Sequence, residues 1–258
     1  MERTCARALN LGLRSVAFTD HADFTVWTVL GGAARVPAYM QGRISRELLT
    51  PPPLALDGYL ECLQICRERF PELEILSGVE LSEPQWHPQA AASLLRRAGF
   101  DLVICGQHSL RHGPAAFIEV SQAYRSSAEG DVVRSYLAEV AGMIGTWDDF
   151  AVLAHIDYPV RAWPGQRRKY QPADFEDEYR AVLRTLARSG RALEVNTEVP
   201  LHPEVVRWWR QEGGTAVSFG SDAHDPLALA HGFADAAAMV EACGFRPGQH
   251  RHDFWTRR

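Results

Sequence analysis

The 258-residue sequence has no apolar run near the roughly 20 residues a membrane-spanning helix needs, so no span is expected. It opens Met1-Glu2-Arg3-Thr4, without the apolar core of a secretory signal. Basic charge is not in excess: 27 Lys and Arg against 32 Asp and Glu leave a net charge of −5. A general nucleic-acid binder is normally basic, so nucleic acid is not an expected partner. Cysteine is sparse and odd in number, five at scattered positions. Cys62 and Cys66 stand four apart, which is helix spacing and not C-x-x-C. Reduced, mostly buried thiols in a cytoplasmic protein follow from this usage. There is no G-x-G-x-x-G after a strand, no phosphate-cradling P-loop, no internal repeat and no long linker. Pro51-Pro52-Pro53 is the single proline run and reads as a loop. At 46% hydrophobic and 23% charged residues the balance is globular, which excludes disorder, collagen and coiled coil. The length suffices for a full core, and one domain over 1–258 is expected.

What is present is a series of short apolar runs: Leu13–Phe18, Leu73–Val79, Phe100–Cys105, Phe150–Ala154, Ala192–Val195 and Thr215–Phe219. Several are β-branched and bounded by turn residues, the pattern of buried strands. Between them, apolar residues three and four apart predict helices over Tyr59–Phe70, Gln89–Ala98, Val132–Met143, Phe175–Ser189, Pro203–Gln211 and Leu227–Cys243. Gly12, Gly99, Gly190, Gly213 and Gly244 fall where helices should stop. Alternating strand and helix predicts an α/β fold with a parallel sheet. Without a dinucleotide fingerprint, a barrel is preferred to an open doubly wound sheet.

The polar residues gather at the strand ends. The runs finish in Thr19-Asp20-His21, Gly78-Val79-Glu80, Gly106-Gln107-His108, Ala154-His155-Ile156-Asp157, Asn196-Thr197-Glu198 and Gly220-Ser221-Asp222-Ala223-His224. In α/β barrels these ends converge on one face, which carries the active site. A lone histidine at a strand end is more often a capping residue than a ligand, but six consecutive strand ends delivering His, Asp, Glu or Asn is a different signal. Asp222 and His224 also share a face of an extended segment. Four histidines and two acids at one mouth is metal-ligand chemistry.

These motifs, in this order, resemble the polymerase and histidinol phosphatase (PHP) superfamily of metal-dependent phosphoesterases over essentially the whole chain. The overall size, the insert between His21 and Glu80 and the closing helix resemble its histidinol-phosphatase branch. The resemblance implies a distorted (β/α)7 TIM-like barrel holding up to three divalent metals, whether Zn, Mn or Fe. It implies metal ligands His21, Glu80, His108, His155, Asp222 and His224. Glu80 would bridge the first and second metals, and Asp222 would serve the first. His108 and His155 would hold the second, and His21 and His224 the third. The implied reaction is hydrolysis of a small phosphate ester, histidinol phosphate in histidine biosynthesis, by metal-activated water attacking phosphorus in line. The alternatives are another phosphate ester, such as a nucleotide or an oligonucleotide end, or a degenerate barrel kept as a binding module.

One motif of the family is absent. No histidine precedes His21, whereas the family opens with a strand bearing His-x-His. The barrel is therefore expected to lack its first strand, with Met1–Leu13 corresponding to the family's first helix. A start placed downstream of the natural one is favoured over a reduced relative, because removing a barrel strand leaves two raw sheet edges. Hydrolysis by the 258-residue form is expected to be weak or absent, with Glu80, His108 and His155 the complete metal set.

Other residues have assigned expectations. Asp222, His224 and Arg161 are the expected catalytic residues, Arg161 as a guanidinium fork on phosphate oxygens. Arg111, His112 and Asn196 are expected substrate contacts alongside Arg161. Asp20 is expected to orient an imidazole, with Asp23 and Asp157 weaker candidates for that task. His87, His202, His231, His250 and His252 read as surface or packing residues, and Trp208-Trp209 as packing. The basic, aromatic segment Arg161–Tyr170 reads as a loop over an anionic-substrate mouth. The tail Arg251–Arg258 reads as a surface-lying or frayed end.

Overall fold

The computed structural model of the chain describes residues 1–165, 169–250 and 252–257, with Arg35 in backbone only. Gln166, Arg167 and Arg168 of the basic segment, and Arg251 and Arg258 of the tail, lie outside the described residues. Six parallel strands form the main sheet in sequence order: β1 Ser15–Asp23, β2 Glu74–Ser82, β3 Leu102–Gly106, β4 Val152–Leu153, β5 Ala192–Asn196 and β6 Ala216–Gly220. The helices are α1 Glu2–Asn10, α2 Leu56–Arg69, α3 Pro88–Ala98, α4 Glu129–Thr146, α5 Glu176–Ser189, α6 Pro203–Gln211 and α7 Phe233–Ala242. The crossovers of α2 through α6 carry the chain from each parallel strand to the next, as parallel pairing requires. Gly99 and Gly190, ending α3 and α5, take the left-handed conformation that lets the chain turn back into the sheet.

Helices cover one face of the sheet, while Ile104, Val152, Ala154 and Ala192 cluster on the other. Tyr136, Leu137 and Val140 of α4, Tyr179 and Leu183 of α5, and Trp209 of α6 join Leu153, Leu193 and Val217 of the strands in one core. A second core joins Cys5 and Ala8 of α1 to Tyr59, Leu63 and Cys66 of α2 and Ile75 of β2. The Tyr59 hydroxyl accepts the Gly78 N–H at 2.7 Å and reaches the Phe18 carbonyl at 2.8 Å, tying β1 to β2.

The structure refines the sequence reading in several places. The last helix starts at Phe233 instead of Leu227, because Pro226–Ala228 form a 3-10 turn and Gly232 takes a left-handed conformation ahead of it. The described tail is not a frayed end: β8 Trp255–Arg257 pairs antiparallel with β6 and with β7 Phe245–Arg246. The insert after β1 folds into a small three-stranded sheet of Trp27–Thr28, Ile44–Ser45 and Leu48–Leu49. A hairpin of Ser109–Arg111 with Phe117–Glu119 follows β3. No described helix is long and apolar enough to cross a membrane.

The fold is α/β with a mainly parallel central sheet, as expected. Among the described residues no pairing joins β1 to β6. A cavity of about 900 Å³ lies between them, walled by Val16 to His21 on one side and Val217 to Gly220 on the other. At one end the cavity opens onto the polar strand ends.

Candidate metal centre

Parallel pairing does much of the assembly. His21 and Glu80 are register partners on β1 and β2, so their side chains emerge side by side. Asp23 and Ser82 are partners two residues further on, with the same facing. His108 follows β3 and His155 follows β4, while Asp222 and His224 follow β6.

Glu80 is the hub. It is 5% exposed, and its Oε1 accepts the His155 Nε2 hydrogen bond at 2.6 Å. The same oxygen lies 3.3 Å from His108 Nε2, and Oε2 lies 3.6 Å from His21 Nδ1. His108 Nε2 and His155 Nε2 are 3.1 Å apart. The His224 ring stands 5.7 Å from that of His21. The His224 Nδ1–H donates to the Asp222 carbonyl at 2.9 Å, leaving Nε2 with its lone pair free. The six predicted ligands therefore form one connected group.

Arg161 lies in the 3-10 turn Tyr158–Ala162. Its two terminal nitrogens each donate at 2.6 Å, one to Asp222 and one to Glu198, and its guanidinium sits 4.9 Å over the Tyr158 ring. Asn196 is buried in the cavity wall, but its amide is engaged. Nδ2 donates to Glu194 at 3.1 Å and Oδ1 accepts the Glu198 N–H at 2.9 Å. Glu194 in turn accepts the His155 N–H at 2.7 Å. Arg111 and His112 are not brought to the cluster by any described contact. Arg111 pairs with Glu139 of α4 at 3.4 Å and stacks on Trp86 at 4.8 Å, because its hairpin strand turns it outward. His112 is exposed beyond the same strand.

The acid beside the imidazoles is Asp23, not Asp20. Asp23 lies 3.8 Å from His21 and 3.5 Å from His108, whereas Asp20 is exposed. The Ser82 hydroxyl donates to Asp23 and accepts the His108 Nδ1–H at 2.8 Å. That chain holds His108 in the tautomer whose Nε2 faces Glu80. Asp157 is buried away from the imidazole contacts, and burial pushes it up to about 6.

The electrostatics follow from proximity. Burial disfavours a charged His21, but Glu80 and Asp23 outweigh it and lift the imidazole to about 9. His108 is raised against its burial by Asp23 and Glu80. Glu80 and Asp23 are held low against their own burial by the same histidines. Burial likewise opposes charge on Asp222, and Arg161 overcomes it, keeping the carboxyl low. His155 and Asp222 carry φ values of +25° and +49°, sparsely populated for residues with a Cβ and concentrated at functional sites.

This donor set fits a divalent cation. Nitrogen and oxygen ligands tetrahedrally placed at about 2.0–2.1 Å stand about 3.3 Å apart, near the 3.1 and 3.3 Å that separate His108 Nε2 from His155 Nε2 and Glu80 Oε1, whereas His155 Nε2 and Glu80 Oε1 stand at a hydrogen-bond distance of 2.6 Å. His21, Glu80 and His108 likewise offer ligand atoms within 4.8 Å of one another. The Nδ1 atoms of His21 and His155 are buried without a hydrogen-bond partner, a costly arrangement that a bound cation at His21 would relieve.

Residues 1–198 match the profile of the PHP domain. A histidinol-phosphatase of Lactococcus lactis subsp. lactis is 21% identical over 224 residues, covering 84% of this chain and 75% of the relative. A Deinococcus radiodurans protein named "Probable histidinol-phosphatase" is 26% identical over 255 residues, 95% of this chain and 88% of its own. The crystal structure of histidinol phosphate phosphatase from Lactococcus lactis, complexed with zinc, L-histidinol and phosphate, superposes with a TM-score of 0.74. That match is at 20% identity and covers 94% of this chain and 86% of the other. At that identity the likeness is one of fold.

Proposed function

Because the chain belongs to the family of PHP-domain proteins, we propose that it is a metal-dependent phosphomonoesterase whose substrate is L-histidinol phosphate, acting in histidine biosynthesis. The observation that carries this reading is the gathering of His21, His108 and His155 around the Glu80 carboxylate, with His224 and Asp222 alongside. Curated relatives named histidinol-phosphatase, and a similar fold holding zinc, L-histidinol and phosphate, support it.

In this reading Glu80 would be shared between two cations, His108 and His155 would hold one of them, Asp222 would serve the other, and His21 with His224 would hold a third. Zinc, manganese and iron all suit imidazole and carboxylate donors. Bound there, the cations supply Lewis-acid polarisation of phosphoryl oxygens and lower the pKa of a water. The chain's own residues do the rest. Arg161 swings its guanidinium from Glu198 to fork onto the phosphate. Tyr158 keeps that guanidinium over its ring. His224, its Nδ1 proton committed to the Asp222 carbonyl, presents Nε2 to the mouth. Asn196 acts through Glu194, which holds the His155 backbone. The 258 residues are read as one barrel-type domain. Five free cysteines suit a reducing compartment, and we place the protein in the cytoplasm.

The test is phosphate release after loading with zinc or manganese, comparing L-histidinol phosphate with a 5′-nucleotide and a 5′-phosphorylated oligonucleotide. Preference among esters is the readout, so a slow rate suffices. Preferential release from L-histidinol phosphate is expected. Metal-loaded protein that prefers the nucleotide or the oligonucleotide refutes the proposal; where no ester is turned over, L-histidinol phosphate that raises the melting temperature of the metal-loaded protein no more than the nucleotide does refutes it.

A further inference from the structure

Glu83 lies just past β2, 1% exposed, and belongs to no motif considered above. Its Oε1 accepts two backbone N–H groups, from His108 at 2.5 Å and Ser109 at 2.8 Å. Its Oε2 accepts the Thr25 hydroxyl at 2.7 Å, and Thr25 Oγ1 receives His87 Nε2 at 3.0 Å. The Glu83 backbone joins the same junction: its N–H donates to the Gly106 carbonyl at 3.2 Å, and its carbonyl accepts the Trp86 N–H at 3.0 Å. Its φ of +47° is unfavourable for a residue with a Cβ. One buried carboxylate thus ties together the segments that follow β1, β2 and β3, just beyond His21 and Glu80 and including His108 itself.

From this geometry we infer that Glu83 is a positioning residue for the metal centre, acting through the main chain of His108. Both N–H groups it accepts belong to the turn that aims the imidazole. Losing the carboxylate frees that turn and leaves two donors without their partner. Ser82 and Asp23 hold His108 by its ring, so Glu83 is the complementary hold on its backbone. The inference rests on the reading of Glu80, His108 and His155 as metal donors.

The test is zinc affinity, read by competition with a chromophoric chelator, and the absorption spectrum of the cobalt(II)-substituted protein. Neither depends on turnover. Glu83→Gln retains one oxygen for the two N–H groups, and Thr25 can turn its hydroxyl to accept from the amide, so zinc affinity should stay within about threefold of the unsubstituted protein. Glu83→Ala should weaken zinc binding about 10–100-fold, the usual loss when a ligand's support is removed, and should alter the cobalt spectrum. Zinc affinity and cobalt spectrum unchanged in folded Glu83→Ala overturn the inference, as does Glu83→Gln falling as far as Glu83→Ala. Folding is checked first by circular dichroism. If Glu83→Ala does not fold, Glu83→Asp carries the test: it keeps the charge but is one methylene too short to reach both segments. It should lose zinc affinity about tenfold or more, and unchanged affinity overturns the inference. An unsubstituted protein that binds no zinc would instead sink the metal-centre reading itself.

Discussion

Gly106 ends β3 where its backbone passes directly beneath the imidazole cluster. A Cβ there would lie 2.5 Å from His155 Cε1 and 2.9 Å from both His155 Nε2 and Glu80 Oε1. Non-bonded carbons settle at about 3.5–4.0 Å, so the His155 ring must retreat by about 1 Å. It has little room, since His155 is 2% exposed and the Tyr158 ring stands 5.0 Å away. Metal–ligand distances tolerate about 0.2 Å, so the displacement is about five times what a bound cation accepts. Forcing a methyl into packed surroundings costs about 1–3 kcal/mol. In a chain of this size each kcal/mol lowers the melting temperature by about 2–4 °C. The assay is a thermal melt of unsubstituted and Gly106→Ala protein, each with and without zinc. Zinc at about 100 times its dissociation constant should stabilise the unsubstituted protein by about 2.7 kcal/mol. Gly106→Ala should melt lower and gain no zinc-dependent shift. A variant that melts within about 1 °C of the unsubstituted protein and gains the same shift would refute the steric argument and the role given to His155 and Glu80.

Glu80→Gln should bring His21 down from about 9, because the carboxylate that most favours its charged form is gone; an NMR titration of the metal-free protein with an unchanged value would contradict this. In the unsubstituted protein a proton on His21 competes with the cation, so zinc affinity should climb as pH rises through about 9. For the metal-free fold the sign is opposite. His21 is raised above its ordinary 6.5, so its stabilisation is fully present below 6.5 and is lost as pH rises through about 9. Urea midpoints at the two ends of that window check it. Arg161→Ala should weaken inhibition by inorganic phosphate about tenfold or more, since a charged hydrogen-bonding partner is removed, and an unchanged inhibition constant would show that phosphate binds elsewhere.

Residues that work through strand position were legible, and those that work through loop geometry were not. His21, Glu80, His108, His155, Asp222 and His224 each follow an apolar run, and parallel pairing brings such ends together whatever the detail of the connections. Asp23 could have been ranked above Asp20 by parity alone, because residues two apart share a face and adjacent ones do not. Arg111 was misplaced because a three-residue hairpin strand, invisible to periodicity, reverses the direction expected of a loop residue. Glu83 gave no signal: its importance lies in two backbone N–H groups 25 and 26 residues further along the chain. The tail lies at the surface as read, but its pairing escaped because polar Arg251, His252 and Asp253 mask the short run that pairs with β6. The insert sheet escaped because two-residue strands carry no period at all.

The long strand β1 is paired along all nine residues on one side, to β2, while its other side borders the cavity. In a parallel strand successive residues send their amides to opposite sides. Its N–H groups therefore divide into two interleaved sets, one bonded to a neighbouring strand and one not. Amide hydrogen exchange along Ser15–Asp23 should alternate slow and fast with a two-residue rhythm, whereas β2, paired on both sides over much of its length, should be protected more evenly. Because β1 also carries His21, the local opening that sets its exchange rates would loosen one wall of the metal centre. The lifetime of a cation held by His21 would then be governed by the breathing of a single sheet edge as well as by the bonds to its ligands.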